Sequence, residues 1–393
     1  MSAVHHSPAG PLDHKRFSAA PIDGRSFAAA QAFLLGTKTA WTTKVYPQLR
    51  EDYKARVQAT TAAGGKAPST PEEVGRLLEH STTYQVYAWL ERHLQRFKYA
   101  GRYGLHPYHA QQRERLEAEL AKAEQSGAPV EANPALPMPR YYAAVDIHQH
   151  PGGVWSDPVA GFVYERGARS TTPLAGRTHA DLHQRLTEAA LAESARAGIP
   201  KPSRVLDMAC GFGKSAHPFA RALPGAQIDA VDLAAPCVKL GAKDAVESGE
   251  RNVRFRQMDA CHTDYPEASF DLVTSTMFLH EMPPRQIEQA LTEAKRVLKP
   301  GARMVHLDFL PQVQPQVQVA GDPFLRFIHY GHGRRNNEPF MEPLARMDVE
   351  ALLKKLGFTD IDIRPFEEAE GALAPDYPNW RFPWTLISAT APR

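Results

Sequence analysis

Two adjacent side chains, His280 and Glu281, follow the apolar run Phe270 to Thr274 and are of types that can move a proton. An imidazole titrates near neutrality, so His280 can take a proton from an oxygen or nitrogen nucleophile. Glu281 serves either as the base itself or as the partner that orients His280. Upstream, Val205 to Lys214 (VLDMACGFGK) runs a strand into a carboxylate and then into a glycine turn that opens a helix. Gly211 and Gly213 let backbone approach a ligand where any Cβ would collide. At the end of a parallel strand, such a turn marks the ligand crevice of a doubly wound sheet.

The spacing Gly211-x-Gly213-x-x-Ala216 also fits the loose dinucleotide fingerprint. A dinucleotide lays its pyrophosphate on the helix N-terminus, drawn by free N–H groups and the helix dipole. Asp207 would put a negative charge beside that anion, but it suits a ligand carrying an ammonium and a sulfonium, such as S-adenosylmethionine (SAM). The following elements agree. Ala226 to Val231 is a second buried strand, ending at Asp232-Leu233, and a carboxylate at this distance from a glycine loop accepts from ribose hydroxyls. Val253 to Met258 is a third, ending at Asp259-Ala260, where an adenine amino group finds an acceptor. Met304 to Phe309 is a fifth, after a helix from Ile287 to Leu298 with Lys299, Pro300 and Gly301 as its stop.

The ordered set VLDMACGFGK (205–214), AVDL (230–233), QMDA (257–260), FDLVTSTMFLHEM (270–282) and RVLKPGARMV (296–305) resembles class I SAM-dependent methyltransferases, in the style of the ubiquinone/menaquinone-biosynthesis enzymes. The resemblance covers roughly residues 200–310 and 347–393. It departs from the family at Cys210, where a third glycine is common, and at Ala302. It implies an α/β fold: a seven-stranded, doubly wound Rossmann-like sheet whose last strands, Ile361 to Pro365 and Thr385 to Ala389, form an antiparallel pair at the edge. It also implies SAM as cofactor, held by Asp207, Ala209, Cys210, Gly211, Gly213, Asp232, Leu233, Met258, Asp259, Ala260 and Thr276. Cys210 is expected to fit the turn rather than act as a nucleophile, and His280 to face the donor methyl.

The remaining length must position these groups. At 393 residues the chain is about twice one methyltransferase core. The expected division is a disordered 1–22, a mostly helical cap at 23–175 and a SAM-binding domain at 176–393. Helices are expected over 26–60 with a break near Pro47, over 71–100, over 108–125, and from Asp348 to Gly357. The proline-rich stretch 127–139 is expected to be a linker or surface strap. Aromatics from Tyr84 to Tyr108 are either helix core or a pocket cover. The insert 311–347 is too long for a plain connection and is expected to form a lid or pocket wall.

Histidines supply the other candidates. His148, His150 and Trp155 lie beside a glycine turn, and His179 and His183 stand at helical spacing. With Met277, His329, Tyr330 and Arg334 they are candidate substrate contacts, Arg334 or Arg335 clamping an acidic group. Their spacing matches no diagnostic metal motif, so no metal is expected. A net charge of +2 argues against a nucleic-acid platform, and no apolar run reaches the ~20 residues of a membrane span. Three dispersed cysteines suggest a reducing cytoplasm. The expected partner is a small, aromatic or apolar metabolite methylated on O, N or C, with a homodimer left open. The alternatives are methylation of a macromolecule, an idle SAM-binding interaction module, or a dinucleotide-dependent oxidoreductase.

Overall fold

The computed structural model describes residues 22–168, 179–314, 323–368, 373–374 and 379–393. The N-terminal segment expected to be disordered, the boundary near 175, part of the 311–347 insert and the side chain of His179 lie outside the described residues. Along the chain come α1 (Gly24–Ala40), a π-helical turn at Trp41–Val45, α2 (Tyr46–Ala62), α3 (Pro71–Leu78), α4 (Thr82–Tyr99), α5 (Leu105–Ala110) and α6 (Arg113–Gln125). Then follow β1 (Val130–Glu131), α7 (Arg140–Ala143), α8 (Ala160–Ala168), α9 (His179–Arg196), β2 (Arg204–Met208), α10 (Ala216–Ala222), β3 (Gln227–Asp232), α11 (Ala235–Ser248) and β4 (Val253–Gln257). The rest is β5 (Phe270–Thr276), α12 (Pro284–Val297), β6 (Leu298–Phe309), α13 (Phe324–Asn336), α14 (Met341–Ala345), α15 (Val349–Lys355), β7 (Thr359–Pro365) and β8 (Trp384–Thr390).

One sheet orders its strands β1-β4-β3-β2-β5-β6-β8-β7. The first six run parallel, and β8 pairs antiparallel with both β6 and β7. The order reverses between β2 and β5, which opens a crevice at their carboxyl ends. The seven expected strands are joined by an eighth. Val130 and Glu131, inside the proline-rich strap, align with Phe255 and Arg256 of β4.

Two helix expectations need correction. The helix over 71–100 is two helices, because the Ser81 hydroxyl accepts from the Tyr84 N–H and starts α4 afresh. That over 108–125 is likewise divided into α5 and α6. The break expected near Pro47 falls at the π-helical turn just before it, with Pro47 in the first turn of α2. The Ser81 hydroxyl also donates to Asp52 on α2. Ser81→Ala should therefore cost about 1 kcal/mol, read from a lowered urea midpoint at constant m-value; an unmoved midpoint would remove the cap from the account.

A single apolar cluster joins helices and sheet. Trp41, Tyr46, Tyr53 and Tyr87 pack with Phe324, Trp380, Phe382 and Trp384. Tyr53 stacks on Phe324 at 4.7 Å between centroids, and Trp41 lies 5.4 Å from Trp380. The aromatics of α4 are thus partly core, while Trp89 and Phe97 are exposed. The sheet's central strands are buried on both faces, as continuous apolar runs require. No helix among the described residues is long and apolar enough to cross a membrane.

Candidate active site

A cavity, open at its mouth, lies at the carboxyl ends of β2, β3 and β5. The turn after β2 carries three consecutive alternate residues in the left-handed region: Ala209 (φ 58°), Gly211 (φ 54°) and Gly213 (φ 89°). A Cβ on Gly213 would stand 2.7 Å from His217 Nε2 and 2.8 Å from Phe255 Cζ. Only glycine closes the turn there. Gly213 therefore shapes the loop from behind, while Ala209, Cys210 and Gly211 line the cavity.

Asp232, at the end of β3, accepts the Gly211 N–H at 2.9 Å and the Ala234 N–H at 2.8 Å, one on each carboxylate oxygen. Each oxygen keeps a lone pair, so the pair suits a vicinal diol. Burial raises its pKa. Asp259 accepts the Cys261 N–H at 2.8 Å, and Leu233, Met258, Asp259, Ala260 and Thr276 all face the same space. Three carboxylates line the cavity, from Asp232, Asp259 and Glu281. That charge suits a ligand bearing an ammonium and a sulfonium and opposes a pyrophosphate, so the lining fits SAM.

Asp207 does not face that ligand. Its side chain is fully buried beneath the loop and outside the cavity lining, where it accepts the Ser215 hydroxyl at 2.5 Å. Burial pushes its carboxyl up to about 7. Its partner Ser215 does line the cavity.

Tyr141, Tyr142, Trp155, Tyr164, Met277 and Phe278 add an aromatic and thioether wall, with Tyr164 against the Gly211 turn. Glu281 and His148 meet there, with His148 Nε2 3.0 Å from Glu281 Oε1 and His148 Nδ1 3.0 Å from Glu338 Oε1. Burial alone would lower the imidazole, but the two carboxylates outweigh it and hold His148 at about 9. For Glu281, burial raises the carboxyl, and the His148 and His280 charges bring it down to about 2.

His280, expected to face the donor methyl, is placed otherwise. It is buried outside the cavity lining, with Nδ1 2.7 Å from Asp308 Oδ1 and Nε2 3.5 Å from Glu281 Oε1. Burial would depress it, yet Asp308 and Glu281 raise it well above the ordinary value.

The histidine set also separates. His148 and His183 line the cavity. His150 does not: it is fully buried, 4.8 Å from the Tyr99 ring and 4.6 Å from that of His106. Trp155 and Met277 line the cavity, whereas His329, Tyr330 and Arg334 do not. Arg334 is exposed and pairs with Glu342 at 2.7 Å, and Arg335 with Glu91. The described part of the 311–347 insert is thus no pocket wall but a brace behind it. Among the described residues, no group of three His, Cys, Asp or Glu is placed to hold a metal ion. Tyr142, Tyr164 and Glu338 were not among the expected site residues, and nothing in their spacing marks them.

Sheet order, glycine turn and acidic strand ends are similar to those of class I SAM-dependent methyltransferases. Residues 205–301 match the family model described as a methyltransferase domain. Over 110 residues the chain is 36% identical to a demethylmenaquinone methyltransferase of Thermus thermophilus, covering 28% of this chain and 49% of that one. Over 131 residues it is 30% identical to a ubiquinone/menaquinone biosynthesis C-methyltransferase of Hahella chejuensis, covering 33% and 52%. The chain spans about half the length of these relatives. Among solved structures, the 1,6-didemethyltoxoflavin-N1-methyltransferase of Burkholderia thailandensis aligns with 23% identity and a TM-score of 0.36, over 52% of this chain and 80% of that one.

Proposed function

We propose that this protein transfers a methyl group from SAM to an uncharged, ring-bearing small molecule enclosed between the glycine turn and the aromatic wall. The observation that carries it is one cavity lined both by Asp232 and Asp259 and by Trp155, Met277 and Glu281. When bound, SAM supplies a methyl on a sulfonium: the carbon–sulfur bond breaks with its electrons left on sulfur, the acceptor–methyl bond forms, and the acceptor's proton passes to the protein. The chain's own task is to place the acceptor and exclude water, which accounts for much of the rate in such displacements.

Glu281 is the group that takes that proton. The hydrogen on the acceptor atom, whether oxygen, nitrogen or ring carbon, grows sharply more acidic as that atom bonds to the methyl, so even a weakly basic carboxylate suffices. Asp232 and Asp259 in the floor oppose phosphate- or carboxylate-bearing acceptors, whereas Glu281 is already paired with His148. The names of the two relatives, a demethylmenaquinone methyltransferase and a ubiquinone/menaquinone biosynthesis C-methyltransferase, favour a quinone-type ring methylated at carbon. A methyl acceptor must be electron-rich, which points to its reduced diol form.

Calorimetric titration with SAM, S-adenosylhomocysteine and NADH tests the first half of this reading. Micromolar binding of the first two and none of NADH is expected; NADH binding alone would return the glycine turn to the dinucleotide class. Transfer of tritiated methyl from SAM to 1,4-naphthalenediol, set against phenol and indole acceptors, tests the second half.

A further inference from the structure

Glu281 stands within a file of alternating charge. From the sheet outward it runs Asp308, His280, Glu281, His148, Glu338, His332, Glu91 and Arg335. His332 Nε2 lies 3.5 Å from Glu338 Oε1, its Nδ1 2.5 Å from Glu91 Oε1, and Arg335 Nε donates to Glu91. Four anions alternate with four cations, drawn from β6, the turn after β5, the 146–150 turn, the end of α13 and α4. A carboxylate only accepts, so an imidazole held between two of them carries a proton on each nitrogen.

The backbone at His148 is strained to make this contact. His148 and Gln149 have φ of 57° and 56°, consecutive left-handed residues without a glycine between them. Such a conformation persists only where its surroundings over-determine it. Here the Gln95 side chain donates to the His148 carbonyl at 2.9 Å, Gln149 donates to the Arg335 carbonyl at 2.9 Å, and Asn337 donates to the Asp146 carbonyl at 3.2 Å. Three side chains thus hold a turn that brings the His148 ring, together with Ile147, to the cavity lining.

We propose that His148, delivered from the N-terminal helical portion, is a positioning residue for methyl transfer: as a fixed cation between Glu281 and Glu338, it keeps Glu281 ionised and aimed at the acceptor. This rests on the methyl-transfer reading above. In it, the proton-accepting group of the methyltransferase domain works only when the helical portion and α13 are docked. Other titratable groups around Glu281 are His280 and Asp308 from the sheet side, Tyr141 and Tyr142 from α7, Tyr164 from α8, and Asp232. None of these except His280 supplies positive charge, so removing His148 leaves Glu281 half-compensated.

The test replaces His148 with Asn, which tolerates the left-handed backbone, and separately with Arg, which restores a permanent cation. The Glu281 carboxyl is followed by 13C NMR on glutamate-labelled protein, assigned with Glu281→Gln. Wild-type Glu281 should not titrate above pH 5. In His148→Asn its titration should rise by about one unit or more, and in His148→Arg it should return toward the wild-type position. With 1,4-naphthalenediol as acceptor, kcat of the Asn variant should fall at least about tenfold at pH 7 and drop further on acidification, with SAM affinity within about threefold. An unmoved Glu281 titration in His148→Asn overturns the proposal, as does unchanged kcat. A wild-type protein that binds no SAM would instead refute the methyl-transfer reading and leave the titration result standing.

Discussion

Asp232→Ala should weaken SAM binding by about 3 kcal/mol, roughly a hundredfold in Kd. The two carboxylate oxygens are each already engaged by one backbone N–H, from Gly211 and Ala234. That leaves both free lone pairs directed at a diol, and hydrogen bonds to a charged acceptor are worth about 1.5–3 kcal/mol each. The alanine variant also leaves the Gly211 N–H without its acceptor, so the turn that cradles the ligand loosens with it. Asp232→Asn keeps the shape and one acceptor, and should recover about half of the loss. Calorimetry on both variants decides: a Kd within about threefold of wild type for Asp232→Ala would remove Asp232 from the cofactor site.

Arg303→Ala should cost about 3–5 kcal/mol of folding stability, because it breaks a buried ionic group from one side. Arg303, on β6, is fully buried. Its guanidinium donates to Glu193 at 2.8 Å and Ser388 at 2.9 Å from one nitrogen, and to Asp360 and Thr390 at 2.6 Å each from the other. The group ties α9 to β6, β8 and β7. Burial pushes the Glu193 carboxyl up, and Arg303 and Arg364 bring it below the ordinary value. With the folded value depressed, this stability is present above the unfolded carboxylate pKa and fades as pH falls through the folded one. Arg303→Met, of similar length and without an unmatched donor, should be milder. Equilibrium urea unfolding at pH 7 measures both, and a loss under about 1 kcal/mol for the alanine variant would show that Arg364 and Arg196 alone satisfy Glu193.

The parts of the molecule that repeat along the chain were legible in its sequence. Strands ending in Asp207, Asp232 and Asp259, a glycine turn between the first strand and its helix, and the Asp348 cap of α15 are local patterns, and local physics makes them. Direction was not. A carboxylate at the end of a central strand has cavity on one side and a packed helix on the other, and nothing in the spacing says which side Asp207 takes. His280 and Glu281 posed the same difficulty: neighbours in a short 3₁₀ turn diverge, and only the structure shows that Glu281 faces the cavity while His280 turns to Asp308. His148 and Glu338 meet across most of the fold, and a pairing between distant segments leaves no periodic trace.

The two residues of β1 have a consequence for how the chain can be divided. Val130 and Glu131 cover the outer flank of β4, and Glu131 meets Arg256 at 2.7 Å and Arg254 at 3.3 Å. A fragment starting at α9 would keep every motif of the methyltransferase domain and lose this cover. Its β4 would then present unpaired N–H and C=O groups beside the buried Val253 and Phe255, a template for sheet-to-sheet association between molecules. The strap therefore shields an edge of the sheet, and a chain trimmed to its recognisable domain is expected to aggregate more readily.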